Sequence, residues 1–170
     1  MLGKLELSVR FLITGLPMPP SVNDQYYAMG YRDKRTGKIR GIITPSESLK
    51  AFQKAMEEWT EKNYLVAGKS RVKTEQMLAQ GKMLKTTIFA VFPSHQVWTQ
   101  AGKPRKMDVS NRMKPLEDAV AKILLIDDCY FFKPSAEKVE RMRMTEPFCA
   151  MLIEPWTPRS LADVKEQEKL

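Results

Sequence analysis

Four aspartates, Asp108, Asp118, Asp127 and Asp128, fall within residues 106–131, KMDVSNRMKPLEDAVAKILLIDDCYF, around one helical segment. Carboxylates crowded together in a basic protein repel one another unless a cation sits among them. Hard divalent ions such as Mg²⁺ take oxygen ligands, usually a few carboxylates with retained waters and phosphate oxygens. The grouping therefore implies metal-assisted phosphate chemistry of the kind a nuclease performs. Lys114 adds a cation that can stabilise charge building on a phosphate or a leaving oxygen. Each residue also has an ordinary reading. Asp118 can be a salt bridge to Lys114 or Lys122, four residues away on each side, Lys114 a surface cation, and Asp127 with Asp128 a polar turn after a helix.

A helix over residues 112–125 has to position these groups. Residues three, four and seven apart share a face, so Asn111, Lys114 and Asp118 line up on one side, with Met113, Leu116, Val120 and Ile123 or Leu124 roughly opposite. One stripe is polar and free to act; the other anchors the helix in a core. With Asn111 as N-cap, Pro115 falls in the first turn, where its missing N–H does not break the helix. Asp108 then lies just before the helix, near its positive end. A helix of about 13 residues is only about 20 Å long. Helix geometry alone nevertheless places Asp127 and Asp128 at the end away from Asp108. A single cluster requires the following turn to meet the helix start from a neighbouring element or subunit.

The remaining elements follow from local pattern. Residues 5–14, LELSVRFLIT, alternate as a first strand ended by Gly15. GLPMPPSVNDQYY reads as a rigid loop, stiffened by Pro17, Pro19 and Pro20. The run YRDKRTGKIRGIIT has a turn at Thr36 and Gly37 and a short strand over residues 38–44, and its five Lys and Arg make a hairpin that faces an anion or is merely solvated. Ser46 opens a helix whose stripe Leu49, Phe52, Ala55, Met56 and Trp59 belongs to the core. Residues 68–81 read as a polar excursion with at most one short helix over 74–80. Residues 83–92, MLKTTIFAVF, make a central strand closed by Pro93. A loop over residues 93–107 is long enough to be functional or mobile and carries Lys103, Arg105 and Lys106 directly before Asp108. KVERMRMTE and FCAMLIE supply one or two closing strands, and RSLADVKEQEKL is a polar end.

The 170 residues suit one domain, taken as residues 1–158 with a polar tail at 159–170. Lys and Arg outnumber Asp and Glu by 28 to 20, and a net charge of +8 favours a polyanionic partner, or simply keeps the surface soluble. Cys129 and Cys149 lack metal-type spacing and a disulfide framework, which points to reduced thiols in a cytoplasmic protein. There is no secretory pattern at the start and no apolar run of about 18 residues, so no membrane segment is expected. His95, the sole histidine, has no ligand-forming neighbours and reads as a bystander. Trp98 is suited to stack on a base or to cover the core. The eleven Met residues suit adaptable packing or a dimer surface.

Two blocks of this sequence resemble the RusA-like Holliday junction resolvases: PPSVNDQY at residues 19–26 matches the family's PPS-x-N-x-x-Y loop after a strand. DVSNRMK at residues 108–114, followed by Asp118 and the Asp127–Asp128 turn, matches D-x-D-N-x-x-K with its helix acid and D-D turn. One position departs: the second acid of D-x-D-N is Ser110 here, a hydroxyl able to hold a water but not to replace the carboxylate charge. The resemblance implies an α+β fold, a mixed sheet of about four to five strands with two main helices packed on it. It also implies a homodimer with two active sites that nick opposed strands of a four-way DNA junction, using Mg²⁺ with Mn²⁺ as possible substitute. Asp108 and Asp128 become the principal metal ligands, Asp127 and Asp118 supporting ones, and Lys114 a catalytic cation. Asn23, Tyr26, Lys103, Arg105, Lys106 and Asn111 become candidates for DNA contact. Ser110 keeps open the alternative of a junction-binding protein with weakened catalysis, and a further alternative is a metal nuclease acting on other branched nucleic acids.

Overall fold

The alternation in FLITGL buries Phe11, Ile13 and Leu16 on one face of strand β1 (Phe11–Leu16) in the computed structural model, which describes residues 10–106 and 108–158. The strand does not stop at Gly15. Gly15 takes φ +71 in an irregular register between Ile13 and Leu16, and this bulge turns Leu16 back into the core. Residues 5–9 of the expected strand and the tail at 159–170 lie outside the described residues.

A 3₁₀ turn at Val22–Asp24 leads into β2 (Tyr26–Arg32), which pairs antiparallel with β3 (Ile39–Pro45) as a separate two-stranded sheet. The expected rigid loop therefore ends before Tyr26, where a strand begins. The predicted turn stands at residues 33–38: Asp33 Oδ1 accepts the N–H groups of Arg35 and Thr36, and Gly37 has φ +67.

Ser46 caps α1 (Glu47–Lys62) by accepting the Leu49 N–H, and Leu49, Phe52, Met56 and Trp59 are buried as the spacing predicts. Ala55, expected with them, is only partly buried. The polar excursion is a second full helix, α2 (Tyr64–Ala79), with Gly68 inside it. Its buried residues, Ala67, Ser70, Thr74 and Met77, keep helical spacing but are mostly small or polar, so no apolar stripe announces them. Thr74 Oγ1 donates to the Ser70 carbonyl, which lets a hydroxyl be buried.

The main sheet runs β1–β6–β4–β5, with β4 (Met83–Pro93) central, β5 (Phe131–Arg141) parallel to it and β6 (Phe148–Trp156) antiparallel. The first closing strand starts earlier than KVERMRMTE and includes Pro134. An edge strand accommodates proline, since one side of its backbone has no partner. Parallel neighbours require a crossover over the sheet face, and this one carries α3 (Ser94–Val97) and α4 (Met113–Leu124). Leu116, Val120 and Leu124 of α4 are fully buried in one cluster with Ile13, Leu84, Ile88, Met151 and Ile153. The architecture is α+β, and among the described residues it has a mixed four-stranded sheet and three long helices rather than two. Among the described residues no helix is long and apolar enough to cross a membrane.

Candidate active site

The sequence NRMKPLEDAV starts its helix by way of a 3₁₀ turn, Ser110–Arg112, so Asn111 sits inside that turn and Arg112, not Asn111, is the residue before α4. Pro115 still falls in the first helical turn, as it must. Asp108 precedes the 3₁₀ turn and holds it: its Oδ1 accepts the Ser110 hydroxyl at 2.5 Å and the Asn111 N–H at 3.3 Å. These donors, the Ser110 hydroxyl first, keep the exposed Asp108 carboxyl below the usual carboxylate range. The residue that replaces the family's second acid thus orients the first.

The far end of α4 closes with Leu125 in the left-handed region at φ +58, and the Ile126 N–H returns to the Ala121 carbonyl. Arg71 of α2 donates through Nε to the Ile123 carbonyl at 2.6 Å, a cation on a helix C-terminus. This cap reverses the chain, and the acids after it separate. Asp127 caps a 3₁₀ turn, Asp128–Tyr130, accepting the Cys129 N–H at 2.9 Å, which holds its carboxyl below the ordinary value. Asp128 comes back to the start of α4 and pairs with Lys114, which also pairs with Asp118 at 2.8 Å. The two carboxylates, Asp118 first, raise the Lys114 pKa and fix its charge. The ordinary salt-bridge reading of Asp118 is therefore met, and Lys114 is itself the cation between two of the acids.

Glu117 is a member of this neighbourhood that the sequence stripe does not single out. It is 9% exposed, and Thr86 Oγ1 of β4 donates to it at 3.4 Å. Burial raises its pKa, while Thr86 and then Lys114 oppose that rise. The available signal was its place three residues after Lys114, on the border between the polar and apolar faces.

Among the described residues no group of three or more His, Cys, Asp or Glu side chains stands close enough to hold a metal ion. The donor set nonetheless suits a hard ion that keeps several waters and needs only one or two carboxylates. Asp108, Asp118 and Asp128 present accessible carboxylate oxygens, the latter two paired with Lys114, while Asp127 is engaged by its own turn.

The first motif block meets the second in space. Arg112 Nη1 donates to the Pro19 carbonyl, and the turn holding Asn23 packs against the 3₁₀ turn before α4. That first turn is itself tied to α1, since both Ser46 and Ser48 donate to the Asp24 carbonyl. Asn23 and Tyr26 are exposed. Within the expected loop, a bridge between Trp98 and Pro104 and the Arg105 N–H donating to the Val97 carbonyl hold residues 97–105 together. Lys103, Arg105 and Lys106 are exposed, as is His95. Trp98 is partly exposed, and its Nε1 donates to Glu140 at 2.9 Å rather than filling the core.

A lysine paired with two carboxylates thus stands on the crossover helix of a mixed sheet. Residues 19–145 match the endodeoxyribonuclease RusA family, so the chain belongs to that family. It is an endodeoxyribonuclease of the Holliday junction resolving type, and resolvases of this family are metal-dependent and bind DNA junctions. None of the curated proteins compared with the chain matches it.

Proposed function

We propose that this protein is a Mg²⁺-dependent resolvase that cuts four-way junctions by paired, symmetrical nicks, acting as a homodimer. The observation that supports it most directly is the return of Asp128 to Lys114, which brings together groups that the helix alone would hold apart. Asp108 and Asp128 are the principal ligands for Mg²⁺ or Mn²⁺, with Asp118 and Asp127 supporting. When bound, the ion would offset charge on the scissile phosphate and make a water a better nucleophile. Ser110 sets the orientation of the Asp108 carboxylate, and Lys114 places a fixed positive charge where the phosphate gathers negative charge. Lys103, Arg105 and Lys106 contact phosphates, as do Asn23, Tyr26 and Asn111 through hydrogen bonds, which position a strand without reading it. Two sites related by a twofold axis match the symmetry of the junction.

Labelled four-way junctions incubated with the protein and Mg²⁺ or Mn²⁺ test this reading. The wild type is expected to nick opposed strands of the junction and spare linear duplex. Asp108→Asn is expected to lower the rate by at least ~10²-fold while junction affinity is kept or improved, since it removes a ligand and a negative charge beside phosphate. Equal rates on linear duplex, unpaired nicks, or cutting without a divalent ion would overturn the proposal.

A further inference from the structure

Residues 97–105 fold back on themselves as a small hairpin outside the main sheet. Trp98 and Pro104 form its antiparallel bridge, the Thr99 N–H donates to the Lys103 carbonyl at 2.8 Å, and the Arg105 N–H donates to the Val97 carbonyl. The turn closes with Gly102 at φ +70, its N–H on the Thr99 carbonyl, while Thr99 Oγ1 accepts the Lys103 N–H. Arg105 Nε adds a bond to the Trp98 carbonyl at 3.1 Å. At the base, Val97 is buried and the Trp98 indole donates to Glu140 of β5. Residues 100–106 are all exposed, so this is a braced projection from the protein surface.

Trp98 is 41% exposed, although its one polar atom is already satisfied by Glu140. What it offers a ligand is therefore a flat ring whose orientation is fixed in advance. A single exposed hydrophobe is ordinary; its surroundings here are not. Lys103, Arg105 and Lys106 lie on the same hairpin or directly after it, and among the described residues none of them has a carboxylate within ion-pair distance. An apolar protein partner would not call for these cations, and a bare phosphate backbone would not call for the indole. A base with its phosphates uses both. Lys106 also stands two residues before Asp108, which ties the hairpin to the site of cutting.

In linear duplex each base pair is covered on both faces by its neighbours. Where arms diverge, the last pair of an arm has an uncovered face, and a ring held ready covers it with little loss of freedom. Resting on the resolvase reading above, we propose that Trp98 stacks on the terminal base pair of an arm at the exchange point, while Lys103, Arg105 and Lys106 hold the flanking phosphates. This stacking distinguishes a four-way junction from linear duplex. Glu140 is its positioning residue, since it sets the plane of the ring.

The test uses the Asp108→Asn protein as parent, so that binding is measured without cutting. Trp98→Leu in that protein is expected to weaken junction binding by about tenfold or more and linear-duplex binding by less than about twofold. Trp98→Phe keeps a ring but loses the bond to Glu140, and is expected to stay within about threefold of the parent on junctions. 5-Iodouracil in the pair that ends an arm is expected to crosslink to Trp98 on irradiation, and to give no such crosslink when the same strand is in linear duplex. Equal losses for the leucine and phenylalanine variants would mean that the indole only ties the hairpin to Glu140, and would overturn the proposal. Absence of the crosslink overturns it too. Should Trp98→Leu fail to fold by circular dichroism, the crosslink decides alone. Paired nicks by wild type together with an unchanged junction preference in Trp98→Leu overturn the stacking role and leave the resolvase reading standing. A junction preference that is lost in Trp98→Leu, with no nicks by wild type, does the reverse. If Trp98→Leu converts a dimer into a monomer by light scattering, the indole belongs to an interface between copies, and the stacking role falls.

Discussion

Lys114 is the side chain on which the acidic cluster depends, because an ammonium paired with Asp118 and Asp128 removes the repulsion that would otherwise drive them apart. Glu117, on the inner side of the same helix, has no such direct partner and is held instead by burial and Thr86. Its folded-state pKa is raised by that burial. The unfolded chain releases the proton first as pH climbs, so the wild type loses stability between the ordinary carboxylate pKa and the raised one. Below that window the folded and unfolded carboxyls are both protonated. Glu117→Gln is therefore expected to be more stable than wild type at about pH 7 and to lose that advantage at about pH 4, as read from urea midpoints. A difference of the same size at both pH values would show that packing, not ionisation, sets the cost.

Among the elements, the C-terminal cap of α4 has the longest reach, since it is what sends Asp128 back toward Lys114. Leu125 occupies a left-handed conformation that glycine adopts without penalty, and its side chain is largely exposed, so little packing offsets the strain. Leu125→Gly is expected to stabilise the protein by about 0.5–1 kcal/mol, the strain relieved exceeding the extra freedom of the unfolded chain. Denaturant unfolding measures it, and a loss of stability would mean that the leucine makes a contribution its exposure conceals. The start of α4 has a different support. There Asp108, Ser110 and the Arg112 contact to Pro19 link the two motif blocks across the fold.

For the molecule as a whole, a net charge of +8 and the exposed cations of the loop before Asp108 lead us to expect DNA binding to be largely electrostatic. Four phosphate contacts would release enough counterions to weaken binding by on the order of 10²-fold between about 50 and about 200 mM salt. Junction affinity measured across that range is expected to fall by roughly this factor, and Lys103→Ala is expected to flatten the slope by about one. A salt-independent affinity would move recognition away from phosphates altogether.

Local pattern carried a large part of this protein. The apolar stripes of α1 and α4, the β-branched run of β4 and the turn at Gly37 depend on neighbours within one or two helical turns or strand pleats, and the family likeness rests on short motifs of the same kind. The helix from Tyr64 to Ala79 was not legible, because its buried face is made of Ala, Ser and Thr, nor was the full extent of β5, whose edge position tolerates Pro134. Residue types and spacing supplied the aspartates, Lys114 and its bridge to Asp118, but not the pairing of Lys114 with Asp128. That pairing follows the left-handed turn at Leu125, and beside it stand a β4 register that puts Thr86 under Glu117 and an arginine that crosses from position 112 to Pro19. Such contacts join residues distant in the chain, and only the packed structure could choose among them.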